Sequence, residues 1–286
     1  MIHTLQQVDT IAGMRSLIAD AKRQGKRIGL VPTMGYLHQG HLSLVEAAKK
    51  RCDLVVMSIF VNPLQFGPNE DFERYPRDME RDRKMAQEAG VDVLFAPSVA
   101  EMYPKPPLTR ISVADVSAPL CGRSRPGHFD GVAFVVMKLF QIVQPDYAFF
   151  GQKDAQQVAV VTQMAADLSV PVEIVACPIV RDPDGLAMSS RNVYLSAEER
   201  KQALVLSRGL EQAKRWIRDQ VSPDEIRERL REMIGEMPLA SIDYVEILHY
   251  PELTPVAALE PGRTIIVALA VRFGKTRLID NLIATV

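Results

Sequence analysis

The sequence predicts an α/β protein with a doubly wound parallel sheet, followed by a smaller α+β domain. Strand-like apolar runs alternate with helical segments of about a dozen residues through the first part of the chain, as in parallel sheets with right-handed crossovers. One run, Asp53–Val61, is apolar almost throughout, which indicates a strand buried on both faces. From Arg181 onward the order changes to charged helices and then to consecutive strand-like stretches. We therefore predict two domains, residues 1–179 and residues 180–286.

Each element is predicted from hydrophobic spacing and from the residues that end helices. Near the start, Ile11, Met14 and Leu17 recur at helical spacing, and Gly25 is a suitable helix end. The predicted strands are Arg27–Val31, Asp53–Val61, Val91–Phe95, Leu108–Val113, Pro145–Gly151, Val172–Val180, Ser241–His249, Thr264–Val271 and Thr276–Asn281. The predicted helices are one within residues 1–26, one that begins at His41, and Asp78–Ala89, Val132–Val143, Gln156–Leu168, Ala197–Asp219 and Pro223–Met237.

Composition narrows the class of protein. The chain has 286 residues, of which 47% are hydrophobic and 24% charged, as is usual for globular proteins. Its 34 Lys and Arg residues and 35 Asp and Glu residues give a net charge of −1, whereas nucleic-acid-binding proteins usually carry a basic excess. No apolar run approaches the roughly 18 residues of a membrane span, and no secretory leader is visible. The isolated Cys52, Cys121 and Cys177 form no disulfide framework, so we expect a cytoplasmic protein.

The segment Gly29–His41, GLVPTMGYLHQGH, carries the strongest functional signal. It runs from a strand through a glycine turn into a helix, the junction at which open α/β sheets usually bind phosphates. There the first N–H groups of the helix and the positive end of its dipole point at the ligand. His38 and His41 are three residues apart, so both imidazoles can face one bound group, and Gly40 lets the backbone approach it.

Two other interpretations of the histidine pair stay open at this point. The imidazoles can simply cap the helix or pack against its first turn, because a single His-x-x-His pattern has low specificity. A zinc site is less favoured, since the three cysteines stand alone and no His-Glu-x-x-His sequence occurs.

Polar side chains also follow other predicted strands. Asn62 and Gln65 come directly after the second strand, where amides can hydrogen-bond a hydroxyl or a carboxylate. A simple Asn-Pro turn is an equal alternative for them. Lys153 follows the strand that ends at Gly151 and is a candidate phosphate partner, with Gln157 in the next helical turn.

Two arginine-bearing loops complete the candidates. Leu186–Asn192 is small and polar with one arginine, Arg191, and such loops commonly hold phosphates through hydroxyls, backbone N–H groups and a guanidinium. Arg123 and Arg125 lie among glycines and could grip an anion. Arginines in surface loops are common, however, and for this pair that interpretation is favoured.

Five motifs occur along the chain in the order Pro32-Thr33-Met34-Gly35 with His38-Gln39-Gly40-His41, Phe60–Phe66, Arg125–Gly131, Gly151–Asp154 and Met188–Asn192. Together they resemble the pantothenate synthetase (pantoate–β-alanine ligase) family, which belongs to the nucleotidylyltransferase group. The resemblance covers nearly the whole chain. One departure is visible: Gln152 stands where the family usually has glutamate, which removes a negative charge beside Lys153.

The resemblance implies a Rossmann-like first domain and a second domain that closes over the active site. It also implies a two-step ligase reaction. The pantoate carboxylate attacks the α-phosphorus of ATP, which releases pyrophosphate and leaves pantoyl adenylate, and the amine of β-alanine then attacks the acyl carbon to give pantothenate and AMP. ATP is thus a substrate, Mg²⁺ accompanies it, and the family is typically a homodimer. The metal-coordinating side chains stay unknown.

The resemblance also assigns roles to individual residues. The implied catalytic residues are His41, which matches a proton donor, and His38, Lys153 and Arg191. The implied residues for pantoate and β-alanine are Gln65, Gln157 and Asn62. The implied ATP-binding residues are Met34, Gly35, Tyr36, Leu37, His38, Gln39, Gly40, His41, Gly151, Gln152, Lys153, Asp154, Val180, Met188, Ser189, Ser190 and Arg191.

Three alternative functions compete with this interpretation. A nucleotidylyltransferase that keeps the nucleotide in its product shares the histidine motif, but a phosphorylated substrate would need more cationic groups than Gln65 and Gln157 provide. A tRNA synthetase is disfavoured by the short chain and neutral charge. A nucleotide-binding regulator without catalysis is disfavoured because both histidines, Lys153 and Arg191 are present.

Overall fold

The computed structural model describes residues 4–68 and 70–286, and within them the larger sheet has six parallel strands. The strands are β1 (Gln6–Val8), β2 (Ile28–Thr33), β3 (Leu54–Ile59), β4 (Val93–Phe95), β5 (Tyr147–Gly151) and β6 (Glu173–Cys177). Their order is β1-β4-β3-β2-β5-β6. From β2 the chain moves outward through β3 and β4, and it then crosses to the other side of β2 through β5 and β6. The predicted parallel sheet is confirmed.

Helices separate most of these strands and dominate the next part of the chain. Within the described residues they are α1 (Ile11–Arg23), α2 (Gln39–Lys49), α3 (Met79–Ala89), α4 (Val99–Met102), α5 (Cys121–Ser124), α6 (His128–Val143), α7 (Ala155–Asp167), α8 (Ala197–Ala203), α9 (Val205–Arg218) and α10 (Pro223–Gly235). Side-chain oxygens cap several of them: Thr10 accepts from Gly13 at the start of α1, and Asp78 accepts from Arg81 at the start of α3. Such caps satisfy helix N–H groups that have no partner in the helix itself.

The strands of the larger sheet are buried because helices cover them. All six residues of β3 are buried. Successive side chains of a strand point to opposite faces, so Val55 and Met57 share one core with Leu44 and Val45 of α2. This burial explains why β3 reads as a continuous apolar run rather than an alternating one.

The strand order has one consequence for function. It reverses at β2, which pairs with β3 on one side and with β5 on the other. In open α/β sheets, ligands bind beyond the carboxyl ends of the strands at such a reversal. The turns that follow Thr33 and Ile59 are therefore the places to look for a site.

The smaller sheet lies in the last part of the chain. Its strands β7 (Ala240–His249), β8 (Thr264–Phe273) and β9 (Thr276–Thr285) are antiparallel and neighbour one another in that order. The apolar faces of α9 and α10 share a core with β8, through residues such as Leu210, Leu230 and Val267. The predicted α+β character is confirmed, although a turn at Leu204 divides the predicted helix Ala197–Asp219 into α8 and α9.

Backbone contacts divide the chain into two compact units that are discontinuous in sequence. The first comprises the described residues through Val113, Arg125–Gln152 and Val160–Pro178, and the second comprises Ala114–Ser124, Lys153–Ala159 and Ile179–Val286. The predicted domains, in contrast, are two continuous stretches that meet at residues 179 and 180. The second unit gains its two short segments through contacts such as the hydrogen bond between Ser124 Oγ and Asp243. The predicted closure of a second domain stays a prediction.

One predicted strand is wrong, and one observed strand was not predicted. No strand forms at Leu108–Val113, where two prolines precede Leu108 and that side chain is 99% exposed. The sequence analysis also missed β1, a three-residue edge strand that pairs with β4 through Gln6↔Val93. Three residues are too few to show the alternation of polar and apolar side chains that predicts a strand. Within the parts of the chain that the structure describes, no helix has the length and apolar character needed to cross a membrane.

Gly131→Ala tests the close approach of α6 to the backbone of Leu64 and Gln65. An added Cβ in the first turn of α6 would lie 2.7 Å from Gln65 Cα and closer still to the carbonyl of Leu64, and backbone atoms cannot yield easily. We expect the free energy of unfolding to fall by at least about 1–3 kcal/mol, as in overpacked cores. Urea denaturation measures the change. The control is Gly235→Ala in α10, where nothing lies within 4 Å of the added carbon. Equal stability of the two variants would contradict the packing argument.

Candidate active site

The turn after β2 has an uncommon backbone conformation. Gly35 and Tyr36 both have positive φ angles, 84° and 49°. A buried carboxylate holds them there: Asp82 of α3 accepts hydrogen bonds from Tyr36 N–H at 2.6 Å and from Leu37 N–H at 2.7 Å. Burial raises the pKa of Asp82, while these two N–H donors act in the opposite direction. A side chain on Gly35 would meet both Ile59 and Asp82, so the turn requires glycine on two counts.

Arg81 supports the same turn from outside. Its Nη2 donates to Leu37 O at 2.8 Å, and its guanidinium lies 4.9 Å from the centre of the Tyr36 ring. The sequence analysis missed Arg81 and Asp82, because nothing distinguishes them from other charged residues of a solvated helix until α3 is placed beside the turn.

His38 and His41 form a reciprocal cap at the start of α2. His38 Nδ1 accepts from Gly40 N–H at 3.1 Å, His41 Nδ1 accepts from His38 N–H at 3.3 Å, and the ring centres are 4.0 Å apart. The interpretation that both imidazoles cap the helix is therefore correct. It does not compete with a functional role, because each bond uses only one ring nitrogen.

The cap fixes the tautomer of both imidazoles. A nitrogen that accepts from a backbone N–H carries no hydrogen, so in the neutral ring the proton resides on Nε2. His38 and His41 therefore each carry a donor on the nitrogen remote from the cap. Two such donors at the positive end of a helix suit a phosphate or another anion.

The turn after β3 holds Asn62 and Gln65, which are 1% and 9% exposed. Asn62 Nδ2 donates to Gln65 Oε1 at 3.1 Å and to Gly131 O at 3.0 Å, and its Oδ1 accepts from Leu64 N–H and from the Tyr103 hydroxyl. Asn62 is thus fully engaged inside the protein. Gln65 keeps more capacity, because among residues 4–68 and 70–286 its Nε2 meets only the weak acceptor Met34 Sδ, at 3.3 Å.

The backbone of Gln65 is held as well. His128 Nδ1 lies 2.9 Å from Gln65 O, which can only accept, so this nitrogen carries the proton. Arg125 binds Glu70 through two bonds, of which Nε to Oε1 measures 2.7 Å, and it also donates to Gln65 O and faces His128 Nε2. Arg125 is therefore half-buried and engaged with groups of the protein itself. Arg123 is exposed and pairs with Glu246.

In the second unit, Lys153 occupies a short 3-10 helix, Gln152–Asp154. Its carbonyl accepts from Asn281 Nδ2 of β9 at 3.0 Å, and the side chain is half-buried. Burial lowers the pKa of Lys153, the charge of Asp154 opposes that shift, and the charge of Arg191 adds to it. Asp154 Oδ1 also accepts from Gln157 N–H, which fixes the first turn of α7.

The predicted phosphate loop, Leu186–Asn192, begins within a short hairpin that ion pairs hold in place. Met188 N–H donates to Val180 O, and Arg181 and Ala187 pair between them. Arg181 makes two bonds, of 2.7 and 2.9 Å, to Asp280, a β9 residue that is 2% exposed. Arg200 of α8 holds the hairpin turn by binding Asp182 at 2.8 Å and Asp184 at 2.9 Å.

The rest of this loop follows the hairpin directly. Ser189 Oγ accepts from Arg191 N–H at 3.2 Å and caps the 3-10 helix Ser190–Tyr194. Ser190 is buried, while Met188, Ser189 and Arg191 are half-buried. The predicted candidates Gly151, Gln152, Asp154, Gln157 and Val180 are also half-buried, and Gln39 is exposed.

Comparison with known proteins identifies this combination of motifs. The pantoate-β-alanine ligase family matches residues 6–283. Pantothenate synthetase of Pelotomaculum thermopropionicum is 56% identical over 276 residues, which is 96% of this chain and 97% of that protein. Pantothenate synthetase of Desulfitobacterium hafniense strain DCB-2 is 57% identical over 272 residues, 95% of this chain and 96% of that protein. The chain belongs to the pantoate–β-alanine ligase family.

Solved structures agree with this assignment. A crystal structure of pantothenate synthetase from Thermus thermophilus has a TM-score of 0.91 at 50% identity and covers 97% of this chain and 98% of its own. Pantoate–β-alanine ligase from Francisella tularensis, solved in complex with beta-gamma ATP and β-alanine, has a TM-score of 0.78 at 35% identity, with 98% and 97% covered. The predicted family, fold and enzyme class are confirmed: the chain is a ligase that condenses pantoate with β-alanine at the expense of ATP.

A protein-bound metal ion is usually held by several ligating side chains that lie close together. Among residues 4–68 and 70–286, no group of three or more His, Cys, Asp and Glu side chains could hold one. Magnesium in ATP-dependent enzymes is usually bound by substrate phosphates with one or two carboxylates and several waters.

The Glu70–Arg125 pair of this ligase gives a pH-dependent prediction. Burial alone would raise the pKa of Glu70, but the hydrogen bonds and charge of Arg125 outweigh it and hold the pKa below its ordinary value of 4.5. A depressed carboxyl pKa contributes stability that is fully present above the unfolded pKa and is lost as pH falls through the folded one. Glu70→Gln should therefore destabilise the protein at pH 7, and the difference from wild type should shrink below about pH 4.5.

Urea denaturation of both proteins between pH 7 and pH 3 measures this difference. Glu73→Gln is the matched control, because Glu73 is an exposed carboxylate of the same loop. A difference that stays constant with pH for Glu70→Gln would show that the ion pair does not account for it.

Proposed function

We propose that this ligase works through pantoyl adenylate and that the residues described above bind and activate its substrates. The observation that carries the proposal is the rigid histidine turn, which sets two Nε2–H donors at the start of α2 in a chain of this family. Such donors can stabilise the negative charge that develops on phosphate oxygens in the transition state.

The first step requires positioning rather than a base. The pantoate carboxylate is already ionised at pH 7 and can attack the α-phosphorus of ATP directly. Catalysis then depends on in-line geometry and on stabilising charge on the phosphate oxygens as pyrophosphate leaves. We assign this stabilisation to His38 and His41, with His41 as the donor to the leaving group.

The remaining ATP contacts come from backbone and cationic groups. Met34–His41 supplies the turn, its glycines and the N–H groups of the helix start, while Gly151–Asp154, Val180 and Met188–Arg191 supply the other contacts. Lys153 and Arg191 add positive charge toward the phosphates. Mg²⁺, carried on the phosphates, neutralises more of their charge when it is bound.

The acid substrate is assigned to glutamines. Gln65 and Gln157 have side-chain amides that hydrogen-bond hydroxyl and carboxylate groups without adding charge. The sequence also places Asn62 among the substrate-binding residues. Its four internal hydrogen bonds favour an indirect part for it, exerted through Gln65.

Two further features of the protein belong to the proposal. We infer that the protein is a homodimer, because members of the family typically are. We also infer a cytoplasmic enzyme, because Cys52, Cys121 and Cys177 are all free thiols and such thiols are typical of a reducing compartment.

The order of product release tests the two-step reaction. With ATP, Mg²⁺ and D-pantoate, the enzyme should release pyrophosphate in an amount close to that of its active sites, because the adenylate stays bound. AMP should appear only after β-alanine is added. Quench-flow analysis of both products measures this. The reaction would be misassigned if pantoate had no effect and a phosphorylated acceptor triggered pyrophosphate release instead.

Lys153→Ala tests the cationic part of the site. Loss of the ammonium should reduce turnover at least tenfold, which corresponds to at least roughly 1.4 kcal/mol of transition-state stabilisation. Steady-state kinetics with saturating ATP and pantoate measures the change. Lys201→Ala is the control, because Lys201 is an exposed lysine of α8 and should leave turnover unchanged. Near-normal turnover for Lys153→Ala would show that this lysine has a structural role only.

A further inference from the structure

A chain of side-chain hydrogen bonds in the first unit leads from Tyr103 through Asn62 to Gln65. Tyr103 follows α4, and its hydroxyl lies 2.9 Å from Asn62 Oδ1. Asn62 Nδ2 lies 3.1 Å from Gln65 Oε1, and Gln65 Nε2 lies 3.3 Å from Met34 Sδ. The two outer members of this chain are a tyrosine that no motif includes and the glutamine assigned to pantoate.

The backbone fixes the direction of the bonds at Asn62. Oδ1 faces the N–H of Leu64, which can only donate, and Nδ2 faces the carbonyl of Gly131, which can only accept. A flipped carboxamide would break both bonds, so the oxygen and nitrogen of Asn62 are set by the fold. It follows that Tyr103 donates to Oδ1.

The same reasoning then fixes Gln65. The second hydrogen of Asn62 Nδ2 points at Gln65 and requires an acceptor, which is Oε1. Nε2 of Gln65 is therefore turned the other way. A carboxamide nitrogen has two hydrogens, and Met34 Sδ takes only one of them, weakly.

We propose that Tyr103 is a positioning residue that, through Asn62, holds Gln65 with its N–H groups toward the substrate. Gln65 then acts as a donor and selects an acceptor oxygen of pantoate, and it rejects a ligand that offers a hydrogen at that point. The inference deepens the proposed function, because it rests on the assignment of Gln65 to pantoate.

The surroundings of Tyr103 suit a fixed donor. Its ring lies against Phe60 and Phe134, with centres 5.8 and 6.1 Å away, and the Lys138 ammonium lies 5.3 Å from the ring centre. Burial raises the pKa of Tyr103 well above its ordinary value of 10.0, so the hydroxyl keeps its proton across the working range of pH. The aromatic contacts hold the ring in place, and the hydroxyl is left to orient Asn62.

Tyr103→Phe is the first test, because it removes only the hydroxyl and keeps the packed ring. Asn62 Oδ1 then loses one of its two donors, and Gln65 is held less firmly. We expect the KM for pantoate and its dissociation constant by calorimetry to rise about three- to tenfold, the loss typical of one hydrogen bond. The KM for ATP and kcat at saturating pantoate should stay within about twofold of wild type.

Tyr147→Phe is the matched control, since it removes a tyrosine hydroxyl from β5 of the same unit, outside this hydrogen-bonded chain. Thermal unfolding should show that both variants keep the wild-type transition. An equal rise in pantoate KM for the two variants would overturn the proposal.

A double-mutant cycle separates positioning from a general structural effect. Gln65→Ala should weaken pantoate binding at least about tenfold, and adding Tyr103→Phe should weaken it no further, because Tyr103 acts only through Gln65. Additive losses would overturn the role of Tyr103 while leaving Gln65 assigned to pantoate. Unchanged pantoate affinity in Gln65→Ala alone would instead overturn the assignment of Gln65, and the inference with it.

Discussion

The site depends on one buried carboxylate. Asp82 receives the N–H groups of Tyr36 and Leu37 and so holds a turn in which two consecutive residues have positive φ. The bond from Leu37 is buried, and an unpaired buried N–H costs about 1–3 kcal/mol. The start of α2 and the reciprocal histidine cap follow directly from this turn. The position of the two imidazoles is therefore set by a residue of α3, more than forty positions away along the chain.

A second theme is the direction of hydrogen bonds. Backbone groups leave His38 and His41 with protons on Nε2, and they leave Gln65 with its nitrogen turned away from Asn62. The first unit thus presents donors at the ends of β2 and β3, which is the basis of the role proposed for them in the reaction of carboxylate with phosphate. The carbonyl of Gln65 is held separately by His128, whose own ring is oriented by Arg125. Most polar residues described here orient other residues.

In the second unit, ion pairs and hydrogen bonds fix the segments that carry the cationic side chains. The hairpin before Ser189 is fixed by two arginines, Arg181 on Asp280 and Arg200 on Asp182 and Asp184. Strand β9 supplies Asp280 and also Asn281, which holds the carbonyl of Lys153. Burial favours the neutral form of Lys153, and Asp154 opposes this effect. The net effect of these surroundings is a lowered pKa for Lys153.

The sequence by itself determined the type and order of most elements, because burial leaves a direct mark on composition. The apolar run of β3 and the helical periodicity of α1 are examples. It also determined the family, since five short motifs lie in register, and it pointed to both histidines, Lys153 and Gln65. Tertiary structure alone decided which polar groups meet. Asp82, Tyr103, Glu70 and Asp280 show no pattern in sequence, because their partners lie 45, 41, 55 and 99 positions away. Periodicity reports which face of an element is buried, whereas the partner of a single polar atom depends on how distant elements pack.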